Sequence, residues 1–146
     1  MAHEHNLPLD EYHRAGAEIV TGNPEVYQAM YSRGDDVTLA NPFGLAVRGW
    51  SEVSSRLDRA ADNFRSNFQD GEAAGVENIA TVVTSDLAYI LEIERYQIRA
   101  RGALGPSPMA IRVTTVFRPE DGEWKVVHRH ADPITTERPP QSIVQT

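Results

Sequence analysis

The chain contains no cysteine, which rules out a disulfide framework, thiolate chemistry and a Cys-ligated metal. It is also short of positive charge: 14 Lys and Arg stand against 21 Asp and Glu, a net charge of -7. A nucleic-acid binder needs a basic stripe to track phosphates, and this balance argues against one. No segment is apolar for long enough to span a bilayer. The opening MAHEHNLPLDEY has neither the basic start nor the apolar run of a signal peptide. A soluble, cytoplasmic protein without nucleic-acid or membrane partners is expected. Its 146 residues with 40% hydrophobic content suffice for one domain with a real core and leave no room for a second.

Apolar spacing places a first helix over Leu9 to Val20, with Leu9, Tyr12, Gly16 and Ile19 or Val20 on one side. Asn23-Pro24-Glu25 starts a short second helix, since Asn caps well, Pro suits the first helical position and Glu favours the first turn; Gly34 ends it. Val37 to Ala40 reads as a short strand broken by Asn41-Pro42 and Gly44. A long amphipathic helix follows over Ser51 to Phe68, with Val53, Leu57, Ala60, Ala61, Phe64 and Phe68 on its buried side. Long strands come next, at Glu72 to Thr84 and, after a tight Ser85-Asp86 turn, Leu87 to Arg101. Gly102 to Pro108 is a loop. Helices first and an antiparallel meander last make an α+β domain, with the helices on one face of a curved sheet. The segment 133–146 is a polar, Pro-bearing tail.

The final hairpin runs from IRVTTVF through Glu120-Asp121-Gly122 into WKVVHRHAD. Its turn allows a two-residue loop at Asp121-Gly122 or a three-residue loop at Glu120 to Gly122. The latter is preferred because Pro119 would then end the strand. In that register Arg112, Thr114, Val116 and Arg118 share a face with Trp124, Val126, His128 and His130. The other face joins Ile111, Val113, Thr115 and Phe117 to Val127, Arg129 and Ala131. The odd positions Leu87, Tyr89, Leu91 and Ile93 of the preceding strand are apolar before Arg95, so odd positions are expected to face the helices in all three final strands. The even face then stacks Glu92, Glu94, Arg112, Arg118, His128 and His130, a charge-balanced surface suited to a homodimer contact.

DDVTLANPFG at positions 35 to 44, VRGWSEV after it, and the ending EDGEWKVVHRHAD together resemble the NTF2-like superfamily, particularly its SnoaL-like members. The resemblance covers Leu9 to Asp132 and implies a cone-shaped fold, with a SnoaL-like domain over residues 8–132. It says little about activity, because isomerases, cyclases, dehydratases, transport factors and associative domains share this scaffold. A kinase-hub association domain of the superfamily ends similarly, but its pocket arginines fall at Leu91, Thr115 and Ala131 here. Bacterial ketosteroid isomerase offers DDATVEDPVG against DDVTLANPFG. Its general-base aspartate falls at Asn41, its oxyanion tyrosine at Ala15 and its protonated aspartate at Thr115. The resemblance therefore implies the fold without that enzyme's proton-transfer groups.

What remains for the cone is Asn41, Tyr89, Arg95, Thr115 and Arg129, among Trp50, Leu57, Leu91, Ile93, Val113, Phe117 and Val127. Such an apolar cavity with few polar groups suits a small molecule, and the arginines favour a carboxylate, phenolate or enolate. Alternatively Arg129 pairs with a buried acid such as Asp36 or Glu18, which the need of a buried charge for a partner favours. Arg95 falls near its strand end, at a rim. HxHxD at His128 to Asp132 opens a zinc signature, but Pro133 replaces the next ligand and His3 and His5 could join only from the N-terminal tail. Both histidines are instead expected to bond Glu92, Glu94 or Thr114, with no metal and no cofactor. His13, Asp36 and Arg129 are the candidate catalytic groups, for a small-molecule isomerase, cyclase, dehydratase or hydrolase; the other reading is a non-catalytic ligand-binding or dimerisation module.

Overall fold

A computed structural model describes residues 6–145; His3 lies outside them, as does His5. Three helices, α1 (Leu9–Ile19), α2 (Glu25–Met30) and α3 (Trp50–Asn67), pack on a six-stranded sheet. The strands are β1 (Thr38–Ala40), β2 (Val47–Arg48), β3 (Phe68–Val83), β4 (Ala88–Ala100), β5 (Ser107–Glu120) and β6 (Glu123–Asp132). Their order is β2-β1-β6-β5-β4-β3, antiparallel throughout except that β1 runs parallel to β6. The fold is α+β. No helix among the described residues is long and apolar enough to cross a membrane.

The helices follow their apolar spacing. α1 buries Tyr12, Ala15, Gly16 and Ile19, and α3 buries Val53, Leu57, Ala60, Ala61 and Phe64. At the start of α2 the Asn23 carboxamide accepts from the Glu25 N–H at 3.1 Å, but the helix ends at Met30, short of Gly34. Phe68 opens β3 directly after α3, earlier than expected. Three register irregularities interrupt the pairing of β3 with β4, and such bulges bend a sheet. The core lies between the sheet and the helices, around Tyr12, Tyr27, Leu57, Ile90, Val113 and Phe117.

The hairpin corrects one expectation and rescues another. Glu120 pairs with Glu123, leaving a two-residue loop in which Asp121 (φ 53°) and Gly122 (φ 80°) are both left-handed. That is a type I′ turn, whose twist matches the strands it joins, and glycine meets its second positive φ without strain. Pro119 is paired with Trp124 rather than closing the strand. A bulge then inserts Val127: Phe117 faces Val126, but Val116 faces His128. The extra residue restores the expected parity, so Thr115 lies opposite Arg129 and Val113 opposite Ala131. Val126, expected on the even face, is fully buried, and Val127 is buried beside it.

β4 is inverted relative to expectation. Ala88, Ile90, Glu92, Glu94, Tyr96 and Ile98 are buried on the helix-facing side, whereas Tyr89 is 39% exposed and Arg95 lies open. The cause is pairing: Ile90 lies opposite Thr115, Glu92 opposite Val113 and Glu94 opposite Ile111, so even positions of β4 share a face with odd positions of β5. Glu92 and Glu94 therefore do not belong to the outward face that carries Arg112, His128 and His130. That face instead gathers Tyr89, Leu91, Ile93, Thr114 and Val116.

Candidate functional site

An apolar cavity of about 490 Å³ opens at one end of the sheet. Ile19 and Val20 at the end of α1, Tyr27 of α2 and the Asn41-Pro42-Phe43 loop form one side, with Leu57, Ala60 and Phe64 of α3. The other side is Tyr96, Ile98 and Ala100 of β4, Ser107 to Ile111 of β5, and Arg129, Ala131 and Pro133 at the end of the chain's last strand. This places one guanidinium, that of Arg129, and the phenols of Tyr27 and Tyr96 within a wall that is otherwise mostly hydrocarbon.

Arg129 is 5% exposed and makes three side-chain hydrogen bonds. Its guanidinium reaches both oxygens of Glu94, Nη1 to Oε2 at 3.1 Å and Nη2 to Oε1 at 3.2 Å, and also donates to the Tyr12 hydroxyl. Tyr12 shares a further hydrogen bond with Thr115, and Tyr96 donates to Glu94 Oε1 at 2.6 Å. The guanidinium carbon lies 4.9 Å from the Tyr27 ring centroid and 5.6 Å from that of Tyr12, a cation–π setting. Burial pushes the Glu94 carboxyl upward, but the charge and hydrogen bonds of Arg129 and the Tyr96 hydroxyl outweigh it and leave it below the usual carboxylate range. Burial likewise pushes the Tyr12 hydroxyl up to about 12 despite Arg129, and holds those of Tyr27 and Tyr96 well above their ordinary value. All three phenols stay protonated at neutral pH. The partner of Arg129 is thus Glu94, not Asp36 or Glu18.

Gly16 explains how the tyrosines fit. A side-chain carbon there would collide with the Tyr96 hydroxyl and lie 3.2 Å from that of Tyr27, so only glycine lets both reach α1. The Tyr27 hydroxyl is buried and has no hydrogen-bond partner among the described residues.

Of the residues expected to bind ligand, Asn41 and Arg129 line the cavity. Thr115 and Phe117 are fully buried beside Tyr12, in the core rather than the cavity wall. Val127 is the bulge residue. Trp50 is not in the cavity wall; its ring lies 6.2 Å from that of Tyr31, with the Arg33 guanidinium 3.8 Å from its centroid. Tyr89, Ile93 and Arg95 point outward because β4 is inverted; Arg95 pairs with Glu77 at 3.1 Å.

The other catalytic candidates are also elsewhere. His13 donates from Nε2 to Glu92 at 2.7 Å, and Glu92 accepts from Asn78 on its other oxygen at 3.0 Å. That hydrogen bond, with the charges of Glu92 and Glu94, raises His13 above its usual value against the opposing effect of burial. Asp36 is held by Arg118 in a two-pronged contact at 2.7 and 3.2 Å on the surface. His128 meets Thr38 at 2.7 Å, and His130 lies 3.3 Å from Asp132; neither bonds Glu92 or Glu94. Among the described residues no group of three or more His, Asp or Glu is placed to hold a metal ion. Tyr27 and Tyr96 escaped the sequence reading, which placed Glu94 on the outward face and Phe64 and Phe68 on the buried side of the helix without assigning them to a cavity. The available signal was that His13 and Arg129, on other elements, supply partners for two acids on one strand face.

An α+β cone with an apolar, tyrosine-lined cavity at its open end defines the class. Residues 8–135 match the SnoaL-like domain model, and the chain belongs to that family. Solved structures agree on the fold. An NTF2-like superfamily protein from Salmonella enterica has a TM-score of 0.68 at 14% identity, over 91% of this chain and 90% of that one. A ketosteroid isomerase-like protein from Erwinia carotovora atroseptica gives 0.62 at 18%, over 88% of each. An NTF2-like protein with a cystatin-like fold from Novosphingobium aromaticivorans gives 0.59 at 13%, over 88% and 80%. No curated protein matches.

Proposed function

We propose that this SnoaL-like protein binds a small, largely apolar molecule carrying one polar group, in the cavity between α3 and the open end of the sheet. One observation carries the reading: about 490 Å³ of space walled by Leu57, Ala60, Phe64, Ile98 and Met109 ends at Arg129, Tyr27 and Tyr96. An apolar body with few orienting polar groups is the usual construction of a small-molecule site. The test is a fragment screen by thermal shift and ligand-observed NMR, run against the protein and an Ala60→Phe variant. Ala60 is buried on α3 and lines the cavity. Hits that bind the parent and are lost in a folded variant support the reading; hits that persist place binding elsewhere.

A second reading, turnover as an isomerase, cyclase or dehydratase, draws support from Tyr96 of the cavity wall and Glu94 behind it, a phenol and a carboxylate 2.6 Å apart. Both are poorly tuned for it. Burial keeps Tyr96 protonated, and Arg129 keeps Glu94 a weak base. Asn41 stands at the cavity where a general-base carboxylate would be useful. Binding without turnover is the better-supported reading.

We also propose a homodimer through the outer face of the sheet. Support comes from Val82, Leu87 and Tyr89, between 39% and 49% exposed, on the sheet face that farther along carries the Arg112 to Asp132 ion pair at 2.9 Å.

A further inference from the structure

We propose that the ligand of this cavity is held through an acceptor oxygen, of a carbonyl or a carboxylate, on the edge of the Arg129 guanidinium that carries Nε; this rests on the cavity being a ligand site. The accounting of donors carries it. A guanidinium has five N–H groups in a fixed fork. Nη1 of Arg129 gives one to the Tyr12 hydroxyl and one to Glu94 Oε2, and Nη2 gives one to Glu94 Oε1 at 3.2 Å. Glu94 therefore occupies the end of the fork, between the two Nη atoms. The Nε–H and the second Nη2–H are left over, side by side along the edge away from Tyr12, the pairing that grips an oxygen from two donors.

That edge meets the cavity. Among the described residues the Tyr27 hydroxyl is the one side-chain nitrogen or oxygen both sealed off and without a hydrogen bond. Nε of Arg129 makes no hydrogen bond either, so it is not sealed, and the space that Arg129 lines is the cavity. The arginine side chain is nonetheless only 6% exposed, which makes an unmet N–H there costly and a ligand oxygen a favourable partner. The other polar groups of the wall are less suited. Tyr96 has committed its proton to Glu94 at 2.6 Å, Tyr27 is directed at Gly16, Ser107 is exposed and Asn41 half-buried. A guanidinium also stays charged at every pH of interest, so the donors are always present.

The experiment uses three probes of one shape, acetylnaphthalene, naphthoate and ethylnaphthalene, titrated into the full chain by calorimetry and by NMR of the arginine Nε–H groups. The comparison variant combines Arg129→Met with Glu94→Leu and Tyr96→Phe, which removes the arginine without stranding its acid or freeing the phenol, and whose missing resonance assigns Arg129. At least one of the two oxygen-bearing probes should bind the parent about ten- to a hundredfold more tightly than the hydrocarbon, the worth of hydrogen bonds to a charged group. The Arg129 Nε–H should move further downfield with that probe than with ethylnaphthalene. In the variant the preference should vanish while the hydrocarbon still binds. Which probe gains tells a carbonyl ligand from a carboxylate. Oxygen-bearing probes that bind no better than the hydrocarbon, or a preference that survives in the variant, overturn the inference and leave the cavity as a ligand site. Should the variant not fold, an Nε–H that responds alike to all three probes in the parent overturns it equally. Failure of every probe, together with a fragment screen empty of cavity-dependent hits, overturns the binding reading itself.

Discussion

The two faces of β4 carry the reverse of what their surroundings suggest. Toward the helices it presents Glu92 and Glu94, each 2% exposed, between Ile90 and Tyr96; away from them it presents Tyr89 at 39%, with Leu91 and Ile93. The inner face is habitable for charge because each acid meets a specific partner from another element: His13 of α1 for Glu92, and Arg129 of β6 for Glu94. The outer face carries Tyr89, Leu91 and Ile93 before Arg95 and is only partly buried. Polarity along a strand reports which groups can be partnered, and burial follows from pairing.

The largest effect should come from breaking the inner face. Arg129→Met leaves Glu94 buried without its counter-ion and should cost about 3–5 kcal/mol in urea unfolding. A variant of unchanged stability would show that Glu94 tolerates isolation and that the arginine is free for other work.

The outer face should respond differently. Leu87→Lys puts a charge in the proposed dimer contact and should give a monomer by light scattering, with the monomer's own stability altered by no more than about 0.5 kcal/mol, as for surface substitutions such as this 49% exposed position. Parent protein that is already monomeric at micromolar concentration rules the dimer out.

The smallest effects are in pH, and the faces again oppose one another. His13 is held above its ordinary value, chiefly by the Glu92 hydrogen bond, so its contribution is complete below about pH 6.5 and is lost as pH rises through the elevated folded value. His128 is held below its ordinary value by burial, then by the charge of His130, so the protein loses stability through it as pH falls below about 6.5. His13→Gln should destabilise by about 1 kcal/mol near pH 6 and progressively less in alkali, while His128→Asn should flatten the acid side of the profile. Melting curves across that range check both signs.

The helices were legible because a 3.6-residue period survives without knowledge of neighbours: Tyr12, Ile19, Leu57 and Phe64 are buried as their spacing implies. The α+β order was legible for the same reason. β4 was not, because Leu87, Tyr89, Leu91 and Ile93 alternate cleanly while two glutamates occupy the positions that are in fact inside. Only the long-range contacts of His13 and Arg129 resolve that conflict, and spacing along one strand carries no record of them. The hairpin parity came out right through two compensating features, a two-residue turn and a bulge at Val127. Tyr27 was passed over because the short α2 was read from its capping residues, and the two-residue β2 is too brief to leave a pattern.

The central claim is that the charges of the inner face satisfy one another. A double-mutant cycle on Arg129→Met and Glu94→Leu, read by urea unfolding, tests it most directly. Each single change should cost about 3–5 kcal/mol, and the double variant, an apolar pair of similar volume, should return to within about 1 kcal/mol of the parent. Losses that simply add would contradict it, since Arg129 and Glu94 would then each be answering to some other group.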